Sequence, residues 1–282
     1  MITAQEEAYV LEKAYVPEHI VSLMAGISKG DSFLIEEHLG FAKDNWLILV
    51  GYPLDRNFSR ERCERILKQT VEIFRPEYLW FIGPEIPDFL LESSTERETD
   101  QYYRLELEKR EVKPSLQRVA DKASQELRVE RAHAISEEHH ALIAELLKRE
   151  KLPPRVRELY RAMPDYVPHS SAVVLNARDK NGKLAAFFVI ELGAKNFSTY
   201  VLGTHSKKHY VPHASDLLFI EMINLTKEQG KNTINLGLGV NEGIRRFKKK
   251  WGGVPFLNYE FCESFYGTTR AASLIESLIG KL

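Results

Sequence analysis

The chain has 282 residues, enough for two ordinary domains or one large one. Its 44% apolar and 28% charged residues are globular proportions and exclude disordered, collagen-like and mucin-like classes. The net charge of −1 conceals an asymmetry: residues 1–130 carry 17 Lys+Arg against 25 Asp+Glu, and residues 131–282 carry 22 against 15, which implies a negatively charged partner for the second half.

Taken in chain order, Trp46–Gly51 is an apolar run stopped by Tyr52-Pro53 and reads as a buried strand. Ser59 caps a helix whose Cys63, Ile66, Leu67, Val71 and Phe74 follow helical spacing as far as Pro76. Tyr78–Gly83 is a second strand, and Tyr103, Leu105 and Leu107 alternate with polar residues as a third, half-buried one. Helices are expected from Ser136 to Lys151 and onward to Met163-Pro164. Strands at Ala172–Leu175 and Ala185–Leu192 flank the turn Asp179-Lys180-Asn181-Gly182, and Ser198–Thr204 completes an antiparallel meander. A helix follows from near His213 to Gln229 and stops at Gly230; Thr233–Leu238 alternates as a strand. Asn241 then caps a helix with Ile244, Phe247 and Trp251 on one stripe, Gly252-Gly253 ends it, and Phe256–Phe261 is the last strand. Cys63 and Cys262 form no C-x-x-C pair, so neither a disulfide framework nor a cysteine zinc site is indicated, and reduced thiols are the default. With no signal-peptide pattern and no transmembrane-length apolar run, a cytoplasmic protein without a transmembrane segment is expected.

This order of elements resembles the GNAT acyltransferase superfamily over most of 131–282, and the first half reads as a degenerate copy of the same unit. The expected fold is therefore α+β, layered: a degenerate GNAT-like domain over 1–130 and a GNAT-like acyltransferase domain over 131–282, each a mixed, mostly antiparallel sheet flanked by helices. Gly230, Asn232–Gly237 and Gly243–Gly253 together resemble the closing motif of Fem-type aminoacyltransferases and of the acyltransferase domain of phosphatidylglycerol lysyltransferases. The resemblance implies transfer of an acyl or aminoacyl group to an amine or hydroxyl, with Phe247 and Lys248 near the transfer centre. Independently, such a transfer passes through a tetrahedral oxyanion that a fixed cation stabilises, a task suited to Lys248 at the margin of an apolar stripe. The run Arg245–Lys250 reads equally as a solvated basic helix face, which Lys249 and Lys250 fit better than Lys248.

In acetyl-CoA-binding GNAT domains a Gly-rich turn opens the helix that begins here near His213 and holds pyrophosphate. Pro212 and Ala214 stand where glycines would be expected, and proline removes a donor. Lys207, Lys208, His213 and the Ala214 and Ser215 N–H groups remain for an anion, with Asn241 added from the following helix cap; Asp216 opposes dense negative charge there. The co-substrate is thus acyl-CoA or an aminoacyl-tRNA, with no tightly bound cofactor. The acceptor is an amine or hydroxyl of a small molecule, peptide or lipid head group, and tRNA is a possible partner. His205, His209 and His213 have i, i+4, i+8 spacing, but Pro212 interrupts any helix and no metal site is read from them. Phe247 occupies the place where simple acetyltransferases often carry a catalytic tyrosine; Glu221 and Tyr200 are the candidate polar contacts. With no nucleophile elbow or triad, direct transfer in a ternary complex suits the sequence. The competing reading is a catalytically inactive GNAT-like protein that binds a phosphate-bearing ligand. Residues 195–260 alone hold ten Lys+Arg against five Asp+Glu, so the basic excess coincides with both proposed anion sites.

Overall fold

The computed structural model describes residues 1–108, 112–152 and 154–267. The elements run α1 (Ala4–Lys13), α2 (Val21–Ser28), β1 (Asp31–Ile35), β2 (His38–Lys43), β3 (Trp46–Val50), α3 (Arg60–Phe74), β4 (Tyr78–Gly83), α4 (Asp88–Ser93), β5 (Ser94–Glu106), α5 (Pro114–Ser124) and β6 (Leu127–Ala132). They continue with α6 (Glu137–Arg149), α7 (Pro154–Tyr166), β7 (Val173–Asp179), β8 (Leu184–Glu191), β9 (Phe197–His205), α8 (Ala214–Glu228), β10 (Thr233–Leu238), α9 (Glu242–Lys250) and β11 (Val254–Phe265).

The chain forms two compact units. Among the described residues, one holds Met1–Tyr102, Leu238–Val240 and the chain from Pro255; the other holds Tyr103–Gly237 and Asn241–Val254. The division falls at Tyr102 rather than at the expected residue 130, because Tyr103, Leu105, Leu107, Leu116 and Ala123 pack into the second unit's core with Phe219, Met222 and Ile223 of α8. The last strand lies in the first unit, since β11 pairs antiparallel with β4 from Glu260↔Gly83 to Phe265↔Tyr78.

In the first unit β1, β2 and β3 form an antiparallel meander, and β4 lies parallel to β3 from Trp46↔Tyr78 to Val50↔Ile82. The connection is α3, whose start is fixed by the Ser59 Oγ, which accepts the Arg62 N–H at 3.3 Å. Its buried Cys63, Ile66, Leu67 and Thr70 repeat at helical spacing and cover Leu47, Leu49, Leu79 and Phe81 of the sheet. Val10, Val16 and Val21 cover the other set of β-strand residues, among them Phe41, Ile48 and Val50.

The second unit repeats this plan. After β6, the helices α6 and α7 lead into the antiparallel strands β7, β8 and β9. The β7–β8 turn closes as the sequence demands: Asp179 Oδ1 accepts the N–H groups of Asn181 and Lys183 at 2.9 and 2.8 Å, and Gly182 takes φ +77°. All eight residues of β8 are buried, which explains its unbroken apolar run. Then α8 crosses over to β10, which is parallel to β9, and α9 follows. Each unit is thus a mixed, mostly antiparallel sheet flanked by helices, and the order α1-α2-β1-β2-β3-α3-β4-α4-β5 is matched by α6-α7-β7-β8-β9-α8-β10-α9-β11. The copies differ in how their parallel strands pair. Whereas β3 and β4 pair over five residues, β9 and β10 pair only over Phe197–Thr199 and Thr233–Asn235.

Candidate active site

The candidate site grows from that shortened pairing. Gly237, inside β10, has φ +71°, a conformation that favours glycine, and marks a break in the strand's regular pairing two residues after its last partner on β9. The break is held locally by Asn235, whose Oδ1 accepts the Gly237 N–H at 2.8 Å. A Cβ placed on Gly237 would lie 3.6 Å from the Tyr200 carbonyl oxygen and 3.9 Å from Lys248 Nζ, so space is present and the backbone angle is the constraint.

Lys248 is brought there by α9. Asn241 Oδ1 accepts the Ile244 N–H at 2.9 Å and opens the helix. Phe247 meets Phe219 edge to face at 5.5 Å, and Trp251 stacks on the same ring at 4.6 Å. The Asp216 carboxylate, 5% exposed in the first turn of α8, accepts from Lys250 Nζ at 2.6 Å and from Trp251 Nε1 at 3.0 Å. These contacts clamp α9 on α8 and turn Lys248 inward, where it is 4% exposed with Nζ 5.8 Å from the centre of the Tyr103 ring. Lysine is rarely buried to this degree, because desolvating an ammonium is costly unless partners or function hold it. A pocket of about 30 Å³ lined by Leu105, Leu107, Leu116, Ile223 and Trp251 lies near Lys250; it has room for a water, not for an acyl chain.

The other expected site residues are placed as follows. Phe247 is a packing residue that orients α9. The Tyr200 ring packs on Phe188 at 4.9 Å with its hydroxyl against Gly203, and burial pushes the phenol well above its usual range, so it stays protonated and does not act as a base at neutral pH. Glu221 is not gathered with Lys248. Its carboxylate binds Arg131 Nη2 at 2.6 Å, and Arg131 stands on β6, four strands from β10, a separation of roughly 19 Å at ordinary strand spacing. Asn241 is engaged as a helix cap rather than as an anion ligand.

The turn before α8 differs most from expectation. The Lys207 N–H donates to Glu145 Oε1 at 2.7 Å, the His209 N–H to Ser206 Oγ at 3.0 Å, and the Ala214 N–H to the Val211 carbonyl at 3.4 Å. Ala214 is buried in the core, and His213, in place of a glycine, takes the positive φ of +66° with Nδ1 3.1 Å from Asp216 Oδ2. A carboxylate of the protein thus already occupies a donor of the loop, while Lys207 and Lys208 are exposed and Ser215 is half-buried. His205, His209 and His213 end a strand, lie in the loop and precede α8, respectively, and share no helical face. Asp216 as a clamp, Tyr103 as a wall and Glu145 as an internal anion carry no local sequence signal; Asn235 and Gly237 do, inside the motif singled out above.

No protein-family model matches the chain, and no curated protein matches it in sequence. Its fold is similar to that of L-PGS from Bacillus licheniformis, at TM-score 0.58 and 15% identity, covering 98% of this chain and 95% of that one. FemX gives TM-score 0.61 at 12% identity over 92% and 96%. A tandem GNAT protein from the clavulanic acid biosynthesis pathway gives 0.53 at 13% over 82% and 79%. The class is therefore a tandem GNAT fold. L-PGS and FemX are among the proteins whose fold it resembles. No helix among the described residues is long and apolar enough to cross a membrane.

Proposed function

We propose that the chain is an acyltransferase that moves an acyl or aminoacyl group from an activated donor to an amine or hydroxyl by direct transfer in a ternary complex. The observation that carries this reading is Lys248, buried beside the break in β10 of a tandem GNAT fold. The acceptor nitrogen or oxygen attacks the donor's acyl carbon, and negative charge collects on the carbonyl oxygen. A preorganised ammonium in a water-poor site stabilises that charge without reorganising solvent. Collapse expels the donor's leaving group, which takes up the proton lost by the acceptor. Phe247, Trp251 and Asp216 keep the helix that presents Lys248 in register.

The turn before α8 supports an aminoacyl ester, such as an aminoacyl-tRNA, over acyl-CoA. Its backbone donors are engaged by Glu145, Ser206 and Val211, while the lysines and the basic outer face of α9 suit a phosphate backbone. The test is transfer with acetyl-CoA, longer acyl-CoAs and aminoacyl-tRNAs against a panel of amines and hydroxyl-bearing lipids and peptides, with Lys248→Ala beside the wild type. Binding of a phosphate-bearing donor without turnover by the wild type across the panel supports a non-catalytic binding protein instead.

A further inference from the structure

Strand register in the second unit sets three polar residues in one row: Glu191 of β8 pairs with Thr199 of β9, and Thr199 with Asn235 of β10. Their sequence neighbours Ile190, Tyr200, Ile234 and Leu236 belong to the core that α8 covers, so the row occupies the opposite face of the sheet. Glu191 is fully buried, while Thr199 and Asn235 are each 2% exposed. The Glu191 end of the row is satisfied, since its carboxylate accepts from the Tyr166 hydroxyl and from the Gly193 N–H. Thr199 Oγ1 and Asn235 Nδ2 have no partner among the described residues.

The Asn235 amide is not free to turn and hide this deficit. Its Oδ1 is held by the Gly237 N–H, so the group left over is a donor with a fixed direction. Thr199 offers a second hydroxyl donor one strand away, at a spacing of ~4.8 Å, which allows both to reach a single oxygen placed between them. Buried donors without partners are costly to a fold, and each calls for an explanation, a bound ligand among them. The Gly237 amide that Asn235 holds belongs to the same break in β10 that Lys248 faces.

Building on the acyltransferase reading, we propose that Thr199 Oγ–H and Asn235 Nδ2–H receive the acyl carbonyl oxygen of the donor. As the acceptor's nitrogen or oxygen bonds to the acyl carbon, the C=O π pair moves onto that oxygen and the two hydrogen bonds strengthen. When the C=O bond re-forms, the bond to the leaving group breaks and the leaving group departs with the acceptor's proton.

The experiment compares Thr199→Val, Asn235→Asp, Ser198→Ala and Lys248→Ala with the wild type, by kcat/KM on the donor and acceptor pair found in the transfer screen and by melting temperature. Valine keeps the shape of threonine and deletes the hydroxyl; aspartate keeps the acceptor for Gly237 and deletes the Nδ2 donor. Ser198, buried and unpartnered on the other face, is the control. Thr199→Val and Asn235→Asp are expected to lose on the order of 10²-fold in kcat/KM, Thr199→Val with an unchanged or raised melting temperature, and Ser198→Ala to keep wild-type turnover. Wild-type turnover in Thr199→Val and Asn235→Asp while Lys248→Ala is dead overturns the donor pair and leaves the acyltransferase reading standing. So does a fall in activity matched by a fall in melting temperature for Thr199→Val. A wild type that transfers nothing on the whole panel overturns the acyltransferase reading, and the donor pair with it.

Discussion

Asp216 Oδ1 lies 2.6 Å from Lys250 Nζ and anchors the end of α9 to the first turn of α8. Because the same oxygen accepts from Trp251 Nε1, one buried carboxylate fixes the pitch of the helix that presents Lys248.

Removing that carboxylate leaves the Trp251 N–H and Lys250 without their acceptor. Asp216→Ala is expected to cost about 2 kcal/mol in chemical denaturation, chiefly from the buried Trp251 N–H left without an acceptor. Asp216→Asn keeps an acceptor for Trp251, and Lys250, 39% exposed, regains water; a loss of about 1 kcal/mol is expected. Transfer activity falls in both.

Gly237 tests the break in β10. A methyl group there has room, so the penalty of Gly237→Ala comes from the positive φ alone, about 1–2 kcal/mol by denaturation. Relaxation of the break moves the strand away from Lys248, and kcat is expected to fall more than stability predicts.

The turn before α8 predicts which donor binds. With Lys207 N–H taken by Glu145, acetyl-CoA is expected to give no saturable rise in melting temperature. The cognate donor at a hundredfold excess over its Kd is expected to raise it by roughly 5–10 °C. A saturable acetyl-CoA shift that disappears in Lys207→Ala contradicts this.

The first unit carries a pH signature. Burial pushes Glu18 up to about 7. A carboxyl raised in the fold gives stability that is complete below its ordinary value of 4.5 and is lost as pH rises through about 7. Glu18→Gln is therefore expected to stabilise the protein at pH 8, by a few kcal/mol at most, and to make no difference near pH 4.5. His19 behaves oppositely. Burial lowers it to about 4 while its Nε2 lies 2.9 Å from the Tyr52 carbonyl, so its contribution is present above 6.5 and lost as pH falls through about 4. Denaturation series from pH 4 to 8 on wild type, Glu18→Gln and His19→Gln check both signs.

Much of the fold is legible in local pattern. The Ser59 and Asn241 caps, the Asp179–Gly182 turn and the alternation of β10 each act within a few residues, and each element forms where those signals place it. What local pattern does not contain is register and return. That β11 pairs with β4, that Tyr103 walls the lysine, and that Glu145 reaches Lys207 N–H are contacts between residues far apart in sequence. The α1 helix and β1 show no strong apolar period, since α1 buries only Val10 and β1 is half-exposed. For the site, Lys248 was visible through its neighbours Phe247 and Gly252-Gly253. Glu221 misled because a carboxylate on the right helix points, by its helical phase, to Arg131.

The central claim, that buried Lys248 stabilises the charge of the transfer step, is tested most directly by kcat of Lys248→Met on the active donor and acceptor pair. Methionine keeps the alkyl stem and the packing against Tyr103 but removes the ammonium. The expected result is a loss of about 10²–10³ in kcat with the melting temperature of the wild type; wild-type kcat in Lys248→Met contradicts the account.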